Sequence, residues 1–319
     1  MWPAHYAGER ELNLMRILIT GGAGYVGFSL TRALASRSDI ESITIIDNLS
    51  RRNYAFFVSG KHGEVPVDFR RIEMLDGYSL EGIMSNTDVV FHLAGYASTP
   101  QADTHHHVFD QVNNWGTAQL ARSIEKSDTL RQIVYLSSFA VYGSSQDPIT
   151  DSSEPAPSST YGVSKLAGEA HLRRLDRDGR KVQILRAGNV YGFNPAIRFD
   201  AVVNAMSFDA CTTGKVSIHG DGAQQRPFID VSSLANILAS LVGSDLGSGT
   251  WNVANHNASI SEIANELFEL IPQLEIIDTP RIKPSTMHMG NPGAFSKLLG
   301  TPITPLSQEL SLLVSSLRS

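Results

Sequence analysis

The segment TGGAGYVG (20–27) limits the possible folds of this chain more than any other feature of the sequence. It follows the apolar run RILI, and apolar residues at helical spacing begin within it at Val26 and continue with Leu30 and Leu34. Glycines allow the tight turn by which a buried strand passes directly into a helix, and a strand, turn and helix in this order form the first half of a βαβ unit. The segment therefore predicts an α/β fold that begins at about residue 15.

Four more short apolar runs follow, and the intervals between successive runs leave room for helices. The runs are SITIID, DVVFHLA, QIVYLSS and VQILRA. Continuously apolar strands are buried on both faces, which is the condition of a parallel sheet covered by helices on each side. We therefore predict an α/β fold of the Rossmann-like type, with a doubly wound parallel sheet.

Three regions are expected along the chain. Residues 1–14 form an N-terminal extension, and residues 15–190 form the domain that contains the sheet. After about Asn194 the alternation of strands and helices weakens, and prolines gather at 272, 280, 284, 292, 302 and 305. We expect residues 191–319 to form a smaller, loop-rich domain that is interleaved with the first.

Composition and charge exclude several classes of function. The net charge is −6 and no long basic run is present, so the chain lacks the positive surface with which proteins bind nucleic acid. No apolar segment has the length of a signal-peptide core or of a membrane-spanning helix, and the single cysteine, Cys211, fits a reducing compartment. The run His105-His106-His107 has no metal-ligand spacing. We expect a cytoplasmic enzyme without a metal or a membrane partner, with Cys211 in a packing role and the histidines in a solvent-facing turn.

The glycine turn has the spacing of a dinucleotide-binding loop. Gly21, Gly24 and Gly27 fit GxxGxxG, and the next strand ends at Asp47, twenty residues after Gly27. Backbone N–H groups at such a turn approach a pyrophosphate, while a carboxylate at the end of the second strand accepts hydrogen bonds from the adenosine ribose. A carboxylate would repel a 2′-phosphate, so Asp47 favours NAD over NADP. The nearby pair Arg51-Arg52 leaves NADP open.

Candidate catalytic residues lie at the end of the apolar run QIVYLSS (132–138) and at the start of the helix predicted after it. Ser137 and Ser138 either satisfy backbone groups where the strand ends or face a reacting group. Tyr161 and Lys165 have a YxxxK spacing, and positions i and i+4 share one helix face. A nearby ammonium and a positive nicotinamide ring would together lower a tyrosine pKa from its usual value near 10. Tyr161 is therefore a candidate general acid/base.

One ordered set of motifs runs from residue 20 to residue 192. It comprises TGGAGYVG, Asp47, the pair Asp76-Gly77, HLAG (92–95), Asn113, SSFAVYG (137–143), YGVSK (161–165) and LRAGNVYG (185–192). The set resembles the extended short-chain dehydrogenase/reductase family, and within it the nucleotide-sugar epimerases and dehydratases. The resemblance is close over residues 15 to about 235 and looser beyond. It implies an NAD cofactor, a nucleotide-diphosphate sugar bound by the C-terminal region, and a homodimer that pairs the helices beginning near Asn113 and Tyr161.

The resemblance also implies a role for each matched residue. Ser138 would hydrogen-bond the reacting sugar oxygen, Tyr161 would act as general acid/base, and Lys165 would hold the nicotinamide ribose, whereas Ser137 would be structural. Asn189 and Arg226, the latter in GDGAQQRPFIDV (220–231), would bind the diphosphate, for which a planar guanidinium is suited. The expected cofactor contacts, with Asp76 and Gly77 at the adenine, are Gly21, Gly24, Tyr25, Val26, Gly27, Asp47, Asn48, Leu49, Ser50, Asp76, Gly77, Leu93, Ala94, Gly95, Asn113, Tyr161, Lys165 and Gly188.

Departures from the family's motifs narrow the chemistry. Phe139 stands where the dehydratases and the decarboxylating members carry an acid, and a phenyl ring cannot transfer a proton. Elimination and decarboxylation are therefore disfavoured. Ala187 and Gly188 replace a pair that is usually bulky, and they predict more room beside the nicotinamide and the sugar. Further departures, which predict unusual base and sugar pockets, are Pro227, Asp230 and KPST (283–286).

The favoured reaction is NAD-dependent epimerisation of a nucleotide sugar at C4. Tyr161 would take the C4 hydroxyl proton as hydride leaves the sugar, and the transient 4-keto sugar would turn over before it is reduced on its other face. An NAD(P)-dependent nucleotide-4-keto-sugar reductase would use the same groups for half of this cycle and stays open. Further alternatives are a non-catalytic NAD-binding protein, which Tyr161 and Lys165 disfavour, and a reductase of an apolar ketone, which Arg226 disfavours.

Overall fold

The fold is taken from a computed structural model, which describes residues 14–97, 106–280 and 286–319. The strands are β1 (Met15–Thr20), β2 (Ile40–Asp47), β3 (Val67–Arg71), β4 (Val89–His92), β5 (Gln132–Ser138), β6 (Lys181–Ala187), β7 (Asn189–Tyr191), β8 (Lys215–His219), β9 (Gln225–Asp230), β10 (Gly249–Val253), β11 (His256–Ser259) and β12 (Glu275–Thr279). The helices are α1 (Tyr25–Ala35), α2 (Ala55–Val58), α3 (Gly77–Met84), α4 (His106–Phe109), α5 (Gly116–Glu125), α6 (Thr160–Arg173), α7 (Val202–Thr213), α8 (Val231–Ser240), α9 (Ile260–Leu270), α10 (Ala294–Leu298) and α11 (Leu306–Arg318). A π-helical turn covers Asp110–Trp115, and 3₁₀ helices cover Phe139–Tyr142 and Arg174–Asp178.

Seven strands form the central sheet, in the order β10-β6-β5-β4-β1-β2-β3. Every neighbouring pair in this sheet is parallel. The order reverses direction between β1 and β4, and ligands of open α/β sheets bind in the crevice that opens at such a reversal. The predicted fold class, a doubly wound Rossmann-like sheet, is confirmed.

Each face of the sheet is covered by helices, which explains the continuously apolar strands. In β1, Ile17 and Ile19 belong to the core beneath α1 and α8, whereas Leu18 belongs to the core beneath α3 and α5. All three side chains are almost completely buried. Burial of one such side chain contributes about 1.5–3 kcal/mol, so a polar residue at any of these positions would be costly.

Two strands of the sheet have no counterpart among the predicted runs. β3 has the sequence VDFRR and lies at one edge, where alternate residues are exposed, so its pattern is not continuously apolar. β10 lies at the other edge and comes from residues 249–253, beyond the expected boundary at 190. Residues 202–270 are also more regular than the loop-rich region that the prolines suggested, because they include α7, α8 and α9.

A second, smaller core lies beside the carboxyl ends of the main sheet strands. It contains the three-stranded sheet β11-β9-β7 and the two-stranded sheet β12-β8, packed against α7, α9 and α11. β7 and β9 run parallel, with Asn189 opposite Phe228. These two strands supply one wall of the cavity described next. Among the described residues, no helix has the length and apolarity needed to cross a membrane.

Candidate active site

A cavity of about 950 Å³ opens between the main sheet and the second core. It includes the point at which the strand order reverses. The predicted site residues that line it are Gly21, Gly24, Tyr25, Val26, Gly27, Asp47, Asn48, Leu49, Ser50, Leu93, Ala94, Gly95, Ser138, Tyr161, Lys165, Gly188, Asn189 and Arg226. Residues more than 200 positions apart in the sequence therefore form one continuous surface.

The glycine turn packs too closely for side chains. Gly21 has a φ of 69°, and a Cβ atom there would lie 2.7 Å from the backbone of Ala94. A Cβ atom at Gly27 would lie 2.5 Å from the Cα of Gly22. Gly24 caps α1 without a side chain, so the first N–H groups of the helix remain available to an anion in the cavity.

Asp47 lies at the end of β2, where its carboxylate lines the cavity. Its Oδ1 accepts a hydrogen bond of 2.8 Å from the backbone N–H of Leu49, which itself has a φ of 59°. Burial raises the Asp47 pKa, and backbone N–H groups, that of Leu49 first, act in the opposite direction. A buried carboxylate of this kind gains from further donors, and two ribose hydroxyls would supply them.

Three predicted cofactor contacts do not line the cavity. Asp76 caps α3 and accepts hydrogen bonds from the N–H and hydroxyl of Ser79, while Gly77 begins that helix beside Gln119. Asn113 is fully buried behind the site, where its side chain accepts from the N–H of Tyr96 at 2.8 Å and donates to the carbonyl of the same residue at 2.9 Å. Asn113 therefore holds the loop after β4 from behind.

Ser138 and Tyr161 meet at the inner end of the cavity. Ser138 is the last residue of β5, and its Oγ accepts a hydrogen bond from the N–H of Ala140. Tyr161 lies in the first turn of α6, whose start is fixed by Ser159 accepting from the N–H of Gly162 at 3.1 Å. The Ser138 side chain is close enough to the Tyr161 phenol to lower the phenol's pKa. The two predicted reactive hydroxyls thus lie side by side.

Several groups act on the pKa of Tyr161. Burial raises this pKa above its usual value, while the Ser138 side chain and the positive charges of Arg198 and Arg51 lower it. The Lys165 ammonium, expected near the phenol, instead lies 4.2 Å above the ring of Tyr135. The i+4 spacing places Lys165 on the same helix face as Tyr161, and its long side chain contacts the aromatic ring that forms the floor of the site.

Lys165 is almost completely buried, and burial lowers its pKa to about 7. The nearby carboxylate of Glu169 raises the same pKa and partly opposes this effect. Lys165 is also close to Gly95, where an added Cβ would lie 3.7 Å from its Nζ. The ammonium is therefore positioned between the loop after β4 and the floor of the cavity.

Arg198 and Arg51 are site residues that the motifs did not reveal. Both line the cavity and share Asp200, whose carboxylate is 2.8 Å from Nη2 of Arg198 and 3.6 Å from Nη1 of Arg51. Arg51 follows β2, where it could bind the 2′-phosphate of NADP, but its guanidinium pairs with Asp200 of the second region. Arg198 lies in an irregular segment before α7, where neither periodicity nor a glycine pattern marks it.

The opposite wall comes from β7 and β9. The side-chain amide of Asn189 donates to the carbonyl of Pro227 at 3.2 Å, and Nη1 of Arg226 donates to the carbonyl of Gln225 at 3.0 Å. A Cβ atom at Gly188 would lie 2.6 Å from the Pro227 carbonyl oxygen and 3.2 Å from Cβ of Ala254. A side chain at position 188 would therefore clash with the backbone of Pro227, and Ala187 and Gly188 themselves line the cavity.

Other residues noted in the sequence lie away from the reactive groups. Phe139 is buried in a cluster with Tyr142, Ile149 and Met289, with its ring 5.4 Å from that of Tyr142. Asp230 caps α8 by accepting from the N–H groups of Ser232 and Ser233. His106 and His107 are exposed at the start of α4, Cys211 is half-buried beside the second core, and His105 and residues 283–285 lie outside the described residues. Within the described ranges, no three His, Cys, Asp or Glu side chains form a group suited to a metal ion.

The fold and the cavity define a dinucleotide-dependent enzyme of the doubly wound α/β class. Residues 17–254 match the NAD dependent epimerase/dehydratase family, and the chain belongs to this family. It is 28% identical over 261 residues to a putative UDP-glucose 4-epimerase of Methanocaldococcus jannaschii, covering 80% of this chain and 81% of that protein. It is 26% identical over 274 residues to a dTDP-glucose 4,6-dehydratase of Neisseria gonorrhoeae, covering 81% of this chain and 78% of that protein.

A solved structure with the same fold is that of MoeE5 in complex with UDP-glucose and NAD. Its TM-score is 0.79 at 25% identity, and the match covers 94% of this chain and 97% of the MoeE5 chain. The cofactor of the family, and of this chain, is NAD. The cavity fits this group, because it joins the free N–H groups at the start of α1, the Asp47 carboxylate and the Lys165 ammonium along one surface.

Proposed function

We propose that the protein is an NAD-dependent nucleotide-sugar 4-epimerase with Tyr161 as its general acid/base. The observation that carries the proposal is that Ser138 and Tyr161 line the same cavity as the glycine turn and Asp47. The neighbouring Phe139 is buried away from that pair. Elimination of water needs an additional acid and base beside the reacting carbons, so the arrangement favours a reaction with one proton-transfer group.

Proton transfer in this proposal depends on the surroundings of the Tyr161 phenol. Ser138 orients the C4 oxygen of the sugar, and Tyr161 takes the hydroxyl proton and later returns it to the 4-keto oxygen. Burial favours the protonated phenol, whereas Ser138, Arg198 and Arg51 favour the phenolate. Bound NAD supplies reversible acceptance of a hydride. Lys165 would hold its ribose hydroxyls, and Asp47 would hold those of the adenosine.

Epimerisation also requires that the sugar present both faces to the same groups. Arg226 and Asn189 line the wall opposite the main sheet and would anchor the diphosphate while the sugar turns. A guanidinium binds phosphate oxygens in a planar, two-pronged manner, so this end of the substrate can stay fixed. The cavity of about 950 Å³ is near the upper end of the usual range for small-molecule sites, which is about 300–1,000 Å³. Because its lining includes Asp47 as well as Tyr161 and Arg226, this one cavity would hold NAD and the sugar together.

Incubation with UDP-, dTDP-, GDP- and CDP-sugars tests the proposal. Without added cofactor, one of them is expected to give a new diastereomer inverted at C4, detected by chromatography and proton NMR. In D₂O the C4 position should retain protium, because the transferred hydrogen does not exchange with solvent. A 4-keto-6-deoxy product would identify a dehydratase, and turnover of a keto sugar only with added NADH would identify the reductase. Either result would replace the epimerase assignment.

We further propose that the protein is a homodimer paired through α5 and α6. Trp115, at the start of α5, and Val163, on α6, are 61% and 53% exposed, and the two helices pack side by side. Large apolar side chains exposed together on adjacent elements mark an interaction surface.

A charge placed on this surface is expected to dissociate the dimer. Trp115→Glu combined with Val163→Glu should convert a dimer to a monomer in light scattering coupled to size-exclusion chromatography. Leu312→Glu is the matched control, because Leu312 is 60% exposed on α11, away from these helices. A monomeric wild type, or a double variant that stays dimeric, would rule out this interface.

A further inference from the structure

Behind Ser138 and Lys165 lies a buried carboxylate that no motif or family match assigns to the site. We propose that Glu169 is a positioning residue: its carboxylate fixes the end of β5 beside Ser138 and supplies the negative charge that keeps Lys165 an ammonium ion for NAD binding. The inference rests on the proposed role of Lys165 toward the cofactor ribose. It does not depend on which sugar reaction follows.

The carboxylate of Glu169 is fully buried and holds four hydrogen bonds. Its Oε1 accepts from Oγ of Ser137 at 2.6 Å and from Nε of Arg186 at 2.9 Å. Its Oε2 accepts from Nη2 of Arg186 at 2.7 Å and from Nη2 of Arg173 at 2.8 Å. Both oxygens are thus satisfied by residues of β5, β6 and α6. A carboxylate saturated in this way holds those three elements in fixed relative positions.

The partners of Glu169 are sequence neighbours of cavity residues. Ser137 precedes Ser138, and Arg186 precedes Ala187 and Gly188, both of which line the cavity. Arg186 also donates from Nη1 to the hydroxyl of Tyr142 at 2.7 Å. A shift of Glu169 would therefore move the ends of two adjacent strands, β5 and β6, that border the site.

Glu169 also acts on the charge of Lys165, which lies one helical turn earlier on α6. The ammonium is 4.2 Å from the centre of the Tyr135 ring, and burial disfavours its charged form, whereas Glu169 favours it. The titratable groups facing it from other elements are neutral near pH 7, because burial lowers the pKa of His92 on β4 to about 3 and raises that of Tyr135 on β5. Tyr161, on the same helix, has a raised pKa as well. Among the described residues, Glu169 is therefore the negative charge that acts on Lys165.

The test compares NAD affinity across pH 5.5–9 by calorimetry, without any sugar. Glu169→Gln alone would leave Arg186 buried without a counter-charge and threatens folding. The double variant Glu169→Gln/Arg186→Met removes both charges together. It is expected to bind NAD more weakly than wild type already at pH 5.5, because the ends of β5 and β6 lose a fixed contact, and about tenfold more weakly again at pH 8, because its Lys165 loses the proton about one pH unit earlier.

Ser137→Ala is the matched control, because it deletes a hydrogen bond to Glu169 but keeps the carboxylate charge. Any fall in its NAD affinity should be by the same factor at every pH, so the pH midpoint of its NAD affinity should equal that of wild type. The proposal is overturned if the NAD affinity of the double variant falls with the same pH midpoint as that of wild type. It is also overturned if the folded double variant binds NAD more weakly by the same factor at every pH. Should no sugar be epimerised while the midpoint still moves, the proposed function fails and the role of Glu169 stands.

Discussion

Replacement of Tyr161 by phenylalanine is expected to lower kcat for epimerisation by about 10²–10⁴-fold, the usual contribution of a general acid/base. The phenylalanine ring retains the shape of the tyrosine and its contact with Phe109, but no proton can be taken from or returned to the sugar oxygen. The measurement is single-turnover conversion of whichever nucleotide sugar the wild type epimerises.

The bound cofactor distinguishes this result from simple misfolding. Tyr161→Phe should keep its NAD and its unfolding temperature within a few degrees of wild type, because it removes one half-buried hydroxyl. Tyr78→Phe serves as the matched control, since Tyr78 is 91% exposed on α3 and does not line the cavity. An active Tyr161→Phe variant would exclude Tyr161 as the acid/base.

Replacement of Lys165 by methionine is expected to change activity and stability in opposite directions. The variant loses the ammonium proposed to hold the nicotinamide ribose, so kcat/KM should fall by about 10²-fold or more. The cofactor-free protein should become more stable, because a buried ammonium with a pKa of about 7 costs free energy in the folded state. A pKa difference of one corresponds to about 1.36 kcal/mol. A gain of a few kcal/mol would raise Tm by about 4–8 °C.

The stability gain of Lys165→Met should depend on pH with a defined sign. The folded pKa is about 7 and lies below the ordinary value of 10.5, so the unfolded chain binds more protons between these two values. Below pH 7 the buried Lys165 ammonium therefore destabilises folded wild type by its full amount, and this destabilisation decreases as the pH rises toward 10. The Tm difference between variant and wild type should shrink over that window.

Lys126→Met is the control for this pH dependence. Lys126 is exposed and pairs with Glu81 on the surface, where an ion pair contributes little. Its replacement should leave both activity and the pH dependence of Tm unchanged. If the Tm difference of Lys165→Met instead grew between pH 7 and 10, the buried ammonium would not be the source of the effect.

Local sequence predicted those parts of the site that local geometry determines. The glycine turn, Asp47 and Ser138 lie where a strand ends, so a strand followed by a glycine or a polar residue is enough to place them. The five apolar runs likewise became strands of the main sheet, because both faces of each strand are covered by helices. Burial on both faces leaves a clear pattern in the sequence.

Features that depend on contacts between distant segments were not predictable in the same way. The edge strand β3 alternates and carries charge, and β10 joins the sheet from residue 249 onward. Arg198 reaches Tyr161 from an irregular segment. The space beside Gly188 depends on where the backbone of Pro227 passes. In each case the structure depends on a contact with a residue that is distant in the sequence, and no fixed spacing relates the two residues.

The position of β10 has a consequence for how this enzyme can be divided. β6 lies between β5 and β10, and α1 packs against α8, so residues 231–253 complete both an edge and a face of the sheet that begins at residue 15. A fragment ending at residue 190 would present an open strand edge and an uncovered apolar helix, which favour aggregation. The region that contains the sheet therefore cannot be separated from the region after residue 190 at that boundary. A chimera that exchanges the second region between relatives would have to retain residues 231–253.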